Sequence, residues 1–131
     1  MRHLPTIIGA LLGLLFVTFS TLFFLNLLPS PPPPPEGSWP ALFMGAFFPS
    51  GYLTFVKALE FTGGVLVAIP KTRNLGLLVL GPIIINILAF HALIMKGEGL
   101  VNPIIGFIVA AALYLLWVER KAFAGLVRRG T

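Results

Sequence analysis

Four long runs of apolar residues, separated by short polar or proline-rich stretches, set the pattern of this chain. A helix needs about 20 consecutive apolar residues to cross the hydrocarbon core of a bilayer, and each run is close to that length. The pattern predicts an all-α fold, with residues 1–131 forming a single domain that is a four-transmembrane-helix bundle. The predicted spans are residues 7–28, 51–69, 75–95 and 102–118.

The connection between the first two runs is unusual. Residues 29–37 include five consecutive prolines, which cannot form a helix and predict a stiff polyproline II strut in a proline-rich external loop. A ligand for an SH3-like partner is the alternative. Residues 39–50 are apolar but too short to cross a bilayer. They predict a short interfacial or re-entrant half-helix before the second span, although they could instead extend that span behind a kink at Pro49.

The two ends of the chain also carry signals. The first run is too long for a signal peptide and lacks a small-x-small cleavage site, so we expect it to be a retained span. Residues 119–131 place Phe123, Leu126 and Val127 on one helical face, beside several basic residues. This predicts an amphipathic tail lying on an anionic leaflet, with a frayed polar tail as the alternative.

Glycine and proline positions inside the runs predict how the spans pack. Gly9 and Gly13 form a small-xxx-small pair of the kind that permits close helix contact, although each could simply be tolerated in a membrane helix. Gly63 and Gly64 in the second span predict close packing in the same way. A kink is expected at Pro82 in the third span.

Composition agrees with a membrane protein. The chain is 57% apolar and 10% charged, whereas a soluble domain averages about 25% charged residues. The absence of cysteine excludes thiol–disulfide catalysis, iron–sulfur ligation and cysteine-based zinc sites.

The net charge of +5 could indicate nucleic-acid binding, but the positions of the basic residues favour the positive-inside rule and no nucleic-acid partner. Both termini are therefore predicted to be cytoplasmic, in a multi-pass protein of the cell inner membrane. Seven of the nine basic residues fall on that predicted side: Arg2, Lys71, Arg73, Arg120, Lys121, Arg128 and Arg129.

The second span contains two charged residues, Lys57 and Glu60, three positions apart. Three positions are nearly one helical turn, so both side chains point roughly the same way. A charge at the centre of a membrane helix costs about 2.5–3.5 kcal/mol on insertion scales. Such a pair is expected to face the interior of the bundle or a water-filled cavity.

Depth along the spans brings further polar residues to the level of this pair. At 1.5 Å per residue, Lys57 lies about 9 Å and Glu60 about 13 Å below the outer surface, while His91 and Asn86 lie about 6 Å and 13 Å deep on the antiparallel third span. The inner half of the bundle is predicted to be dry. Asn86 and His91 are roughly 140° apart around their helix, so they cannot share one face.

These levels predict a small pocket that opens outward and is lined by Lys57, Glu60, Asn86 and His91. A quinone or a lipid, with a polar headgroup and an apolar tail, has the shape to bind there. The alternative is an internal ion pair, with Asn86 joining helices by a hydrogen bond. His91 has no carboxylate or cysteine neighbour and is a poor metal ligand, and the sequence contains no recognisable catalytic constellation.

The same residues carry a family resemblance. They are Gly51-Tyr52-Leu53, Val56-Lys57-Ala58-Leu59-Glu60, Gly63-Gly64, Lys71-Thr72-Arg73 and Leu80-Gly81-Pro82-Ile83-Ile84-Ile85-Asn86-Ile87-Leu88-Ala89-Phe90-His91. This pattern resembles the DoxX-like family of small bacterial integral membrane proteins. The likeness covers nearly the whole chain, including the proline-rich loop and the tail.

The resemblance implies a four-helix bundle in the inner membrane and a link to membrane redox systems, which include a quinone-reducing thiosulfate oxidoreductase. The implied fold is similar to that of vitamin K epoxide reductases. Their chemistry depends on paired cysteines, which this chain lacks, so it cannot be transferred.

Three functions compete at this point. The first is an accessory component of a membrane redox system that binds a quinone or lipid and partners a membrane oxidoreductase. The second is a structural or assembly protein without a ligand, and the third is a small transporter or proton path. Four helices and a dry inner half leave little room for transport. Enzymatic activity stays open, with a non-catalytic role favoured.

Overall fold

The computed structural model describes residues 3–29 and 32–128 of the chain. Within those ranges helix is the only regular secondary structure, so the predicted all-α class is confirmed. The helices are α1 (Leu4–Phe24), α2 (Trp39–Phe47), α3 (Tyr52–Ala68), α4 (Arg73–Ala89), α5 (Pro103–Val118) and α6 (Arg120–Val127), with a 3-10 turn at Pro70–Thr72 and a π-helical turn at Phe90–Ile94. The predictions that involve Arg2, Pro31 and Arg129 fall outside the described residues.

Two stretches of helix, Leu4–Phe24 and Pro70–Ile94, are each long and apolar enough to cross a membrane. The pairs α2–α3 and α5–α6 qualify only if each bent pair is counted as one span, and their bends are 78° and 74°. Helix α3 has 17 residues, which extend about 26 Å against a hydrocarbon core of about 30 Å. The fold therefore offers two to four candidate spans and is consistent with a helical membrane bundle.

Local sequence explains where several helices begin and end. The side chain of Ser38 accepts a hydrogen bond from the Ala41 N–H at the start of α2, and Asn102 accepts one from Ile104 at the start of α5. Such N-caps satisfy backbone donors that have no partner in the first turn. Helix α3 ends where Ile69 becomes extended, because a residue that precedes proline disfavours the helical region.

The segment at residues 39–50 is a helix of its own. Helix α2 ends at Phe47, and the chain bends by 78° before α3 begins. Gly51 makes the connection with a positive φ of 86°, a conformation that favours glycine. The segment is therefore a short helix set at a steep angle to α3, and the pair is either a broken span or a re-entrant loop.

Helix α4 continues through Pro82, so the proline does not end the helix, and the kink expected there stays a prediction. The regular pattern changes only later, at the π-helical turn of Phe90–Ile94, where Met95 N–H donates to the Phe90 carbonyl. Turns of this kind are rare in proteins and are often found at functional sites.

The core lies between four helices. Helix α1 packs along α3, α3 also packs on α4, and α5 contacts both α1 and α4. Apolar side chains from all four helices meet there and are almost completely buried. They are Leu12, Phe16, Val67, Leu77, Leu80, Ile83, Ile84, Ile108, Ala111, Ala112 and Leu115.

Glycines bring the backbones of α1 and α3 together. A Cβ added to Gly64 would lie 2.9 Å from the Gly13 carbonyl oxygen, and a Cβ on Gly13 would strike the Gly64 carbonyl oxygen. A Cβ on Gly63 would lie 2.7 Å from the side chain of Leu80 on α4. The close packing predicted from the glycine pairs is therefore confirmed.

We predict that Gly64→Ala destabilises the bundle, because its Cβ would meet backbone on α1 that cannot rotate away. The expected loss of unfolding free energy is about 1–3 kcal/mol, the usual cost of overpacking. Gly106→Ala is the matched control, since a Cβ there meets nothing within 4 Å. Thermal unfolding in detergent should rank Gly106→Ala with the wild type and Gly64→Ala below both; equal melting temperatures would contradict this packing.

Candidate functional site

Lys57 and Glu60 form an ion pair on helix α3. The Lys57 ammonium lies 3.3 Å from Glu60 Oε1 and donates a hydrogen bond to it. The Glu60 side chain is 8% exposed and that of Lys57 is 18% exposed. The carboxylate is therefore inside the bundle, while the ammonium is within reach of its edge.

An aromatic ring from another helix covers the ammonium. The Phe23 ring, in the last turn of α1, has its centroid 5.9 Å from Lys57 Nζ, within the range of a cation–π interaction. Phe23 also contacts Phe24 and Phe48 edge to face, with centroids 5.6 Å and 6.3 Å away. Sequence reasoning missed Phe23, although its position at the outer end of the first run would have put it near the level of Lys57.

The Lys57 ammonium has unused capacity to bind a ligand. An ammonium carries three donors, and the hydrogen bond to Glu60 is the only one that Lys57 makes within residues 3–29 and 32–128. A carbonyl or phosphate oxygen placed beside Nζ could accept another. The neighbouring phenyl rings supply an apolar surface against which a flat headgroup can pack.

Asn86 does not join this pair. Its side chain is exposed, and its amide donates to the Pro82 carbonyl oxygen of the same helix at 3.0 Å. Asn86 comes two residues after buried Ile84. Two residues correspond to a rotation of about 200° around the helix, so the Asn86 side chain points away from the core. The predicted lining of one pocket by Lys57, Glu60 and Asn86 is thus corrected.

His91 belongs to the π-helical turn and is also bonded within its own helix. Its Nδ1–H donates to the Ile87 carbonyl oxygen at 2.9 Å. The ring is half-buried against Gly99, where an added Cβ would lie 2.6 Å from His91 Cδ2. In the described chain no three His, Asp or Glu side chains gather closely enough to hold a metal ion. The predicted set is therefore reduced to Lys57 and Glu60 as a contacting pair.

A second polar cluster lies at the opposite end of the bundle. Arg73, expected in a water-facing turn, is 6% exposed at the start of α4. Its Nη1 lies 3.4 Å from Glu119 Oε2, and Asn74 Nδ2 donates to Glu119 Oε1 at 3.3 Å. The expected turn residue is thus buried, and the Glu119 carboxylate at the α5–α6 corner supplies its countercharge.

Helix α1 makes room for the Arg73 guanidinium. A Cβ on Gly9 would lie 3.4 Å from Arg73 Nε and 2.9 Å from the Val67 carbonyl oxygen. Arg73 Nε and Nη2 are buried without a hydrogen-bond partner in the described residues. Glu119 is therefore the main compensation for this charge, and we interpret the Arg73–Glu119 pair as a structural link between α1, α4 and the α5–α6 corner.

Two of the clefts on the surface of residues 3–29 and 32–128 lie near polar side chains. The larger, about 520 Å³, lies between the start of α2 and the turn after the π-helical segment, and it includes Trp39, Lys96 and Glu98. Lys96 Nζ stands 5.0 Å above the Trp39 ring. The smaller, about 130 Å³, lies between α4 and α6 and is almost entirely apolar.

Comparisons with known proteins add little about function. No family model matches the chain, and no solved structure matches it. The uncharacterized protein YwoB of Bacillus subtilis is 32% identical over 78 residues, which cover 60% of this chain. The match covers 49% of YwoB, so the chain spans about half the length of that relative. The resemblance to the DoxX-like family stays a prediction.

We predict that Glu119→Gln lowers the unfolding free energy by about 2 kcal/mol, because the buried Arg73 guanidinium loses its charged partner. Glu98→Gln is the matched control, since Glu98 is exposed and makes no ion pair in the part of the chain that the structure describes. Chemical unfolding in detergent should separate the two variants. If both variants unfold at the wild-type denaturant concentration, the Arg73–Glu119 pair does not hold the helices together.

Proposed function

We propose that this chain is a DoxX-like integral membrane protein of the bacterial inner membrane, with four spans and cytoplasmic termini. The α2–α3 and α5–α6 pairs would supply the second and fourth spans, with α2 and α6 near the two surfaces. Lys71, Arg120, Lys121 and Arg128 gather at one end of the bundle, and the positive-inside rule puts that end in the cytoplasm. The proline-rich loop and the larger cleft then face outward.

Within that protein, we propose that the Lys57–Glu60 pair binds the polar headgroup of a quinone or lipid. The observation that carries this proposal is the Lys57 ammonium itself, which is partly exposed, stands under the Phe23 ring and keeps donors for a ligand oxygen. The Glu60 carboxylate offsets the free-energy cost of placing the Lys57 ammonium in hydrocarbon, so the pair is stable without a ligand. An accessory role beside a membrane oxidoreductase fits a binding site without catalytic side chains.

A structural role is the second candidate, and one observation favours it. Lys57 and Glu60 neutralise each other's charge within a single helix turn, and the α1–α3 glycine contact holds that helix without any ligand. The pair would then serve only to fix the helix in the bundle.

Because the chain contains no cysteine, its topology can be tested with single-cysteine variants. Val101→Cys, at a loop position that is 95% exposed, should react with a membrane-impermeant thiol reagent in intact cells. Ala124→Cys on α6 should react only after the membrane is permeabilised. Labelling of both variants in intact cells, or the reverse pattern, would refute the proposed orientation.

For the headgroup site, we predict that Lys57→Met weakens binding of a soluble quinone analogue by about ten- to a hundred-fold, the effect of losing a charge-assisted hydrogen bond. Binding to purified protein in detergent would be measured by calorimetry. Lys96→Met is the matched control, because it removes an outer lysine that contacts Trp39 and not the Lys57 site. Equal affinities in all three proteins would exclude quinone binding at Lys57; lipid headgroups would then be tested in the same variants.

The stability of a double variant separates the two functions. If the pair is purely structural, Lys57→Met and Glu60→Gln each cost several kcal/mol by leaving one charge unpaired, and Lys57→Met/Glu60→Leu regains most of that loss. A structural role also requires the refolded double variant to retain full function in cells. A double variant that folds but loses ligand binding supports the headgroup site.

A further inference from the structure

The smaller cleft, between α4 and α6, has the character of a lipid-chain site. It is lined by Leu78, Ala122, Phe123 and Leu126, with Asn74 at its polar edge. Its volume is about 130 Å³, similar to the roughly 150 Å³ of an apolar cavity that admits benzene. A segment of a few methylene groups fits such a space, whereas a folded protein element does not.

Helix α6 presents opposite faces to the cleft and to its surroundings. Ala122, Phe123 and Leu126 fall within an arc of about 100° at the helical period, and Arg120 and Lys121 fall on the other side. Helix α5 turns by 74° into α6, which brings α6 across the end of the bundle. An amphipathic helix in this position lies along the membrane surface with its apolar face toward the acyl chains.

The basic residues at this end of the bundle favour an anionic ligand. Glu119 is already engaged by Arg73 and Asn74. Lys71, Lys121 and Arg128 are exposed and make no ion pair within residues 3–29 and 32–128. Each basic residue next to the bilayer surface strengthens the binding of anionic lipids by about five-fold, which corresponds to about 1 kcal/mol.

Arg120 is held in position to contribute to that patch. Its Cζ stands 4.0 Å above the ring of Trp117, and its Nη1 donates to the Trp117 carbonyl oxygen at 2.8 Å. A guanidinium has five donors, so others stay available to a phosphate. Trp117 is 63% exposed, as is typical of a residue at the boundary between headgroups and acyl chains.

We propose that the α4–α6 cleft binds an anionic phospholipid, with part of one acyl chain between Leu78 and Leu126 and the phosphate beside Arg120 and Lys121. The occupant comes from the leaflet that α6 faces, which is the cytoplasmic one in the proposed topology. This site lies at the end of the bundle opposite the Lys57–Glu60 pair and stands whether or not that pair binds a ligand.

The test uses Trp117 as the reporter. The chain has two tryptophans, so Trp39→Phe leaves Trp117 alone in the full-length protein. The protein is reconstituted in phosphatidylcholine vesicles that contain increasing fractions of brominated phosphatidylglycerol or brominated phosphatidylcholine. We expect Trp117 fluorescence to be quenched at least about five-fold more effectively by the anionic lipid, a preference that falls at high salt.

Two variants on one turn of α6 distinguish lipid binding in the cleft from the general attraction of lipids to the basic surface. Ala122→Phe fills the cleft and should remove most of the preference for phosphatidylglycerol, so that the two brominated lipids quench Trp117 with similar efficiency. Ala124→Phe makes the same change at an exposed position that does not line the cleft, and it should leave the preference intact. Lys121→Gln should lower the preference in part, because it removes one charge of the basic patch and leaves the cleft open.

Equal quenching by the two lipids in the Trp39→Phe protein would overturn the proposal. Equal effects of Ala122→Phe and Ala124→Phe would also overturn it, because they would assign the preference to surface charge without an acyl-chain site. If Ala122→Phe alters the oligomeric state and leaves the lipid preference unchanged, a second copy of the chain occupies the cleft, and the lipid proposal is wrong.

Discussion

The close approach of α1 and α3 at Gly13 and Gly64 is the constraint on which the rest of the structure depends. From that contact, Phe23 lies ten residues along α1 and Lys57 lies seven residues back along α3, which are rises of about 15 Å and 10 Å. The lysine side chain is long enough to bridge the difference between these two rises, so the ammonium reaches the Phe23 ring. In the other direction along α1, Gly9 admits the Arg73 guanidinium. One glycine contact therefore sets the geometry of both polar clusters.

The Lys57–Glu60 and Arg73–Glu119 ion pairs have different physical roles. Lys57 and Glu60 are three residues apart on one helix, so their contact requires no tertiary structure and links no helices by itself. Arg73 and Glu119 are 46 residues apart, and their contact joins the start of α4 to the corner after α5. An intrahelical pair leaves its ammonium available to a third group, whereas the Arg73 guanidinium is closed in by α1. These differences are why a ligand is proposed for the first pair and a structural function for the second.

The same distinction explains what the sequence could predict. Helix class, the separate half-helix and the Lys57–Glu60 contact follow from local periodicity, composition and proline positions, which act over a few residues. Rotation about a helix axis was not predictable, and so Asn86 was expected to face the pair although its side chain is exposed. The Arg73–Glu119 pair required knowledge of which turns meet at one end of the bundle. Both residues are in polar stretches, and nothing local distinguishes a buried arginine there from a solvated one.

The apolar layer between the two clusters limits what they can do together. Leu12, Val67, Leu80 and Leu115 are fully buried at the centre of the bundle, and aliphatic side chains can neither donate nor accept a proton. These four side chains offer no hydrogen bond to a proton or ion that entered beside Glu60, and an unpaired charge among them costs several kcal/mol. The packing of the core thus separates the Lys57–Glu60 pair from the Arg73–Glu119 pair by a layer of aliphatic side chains.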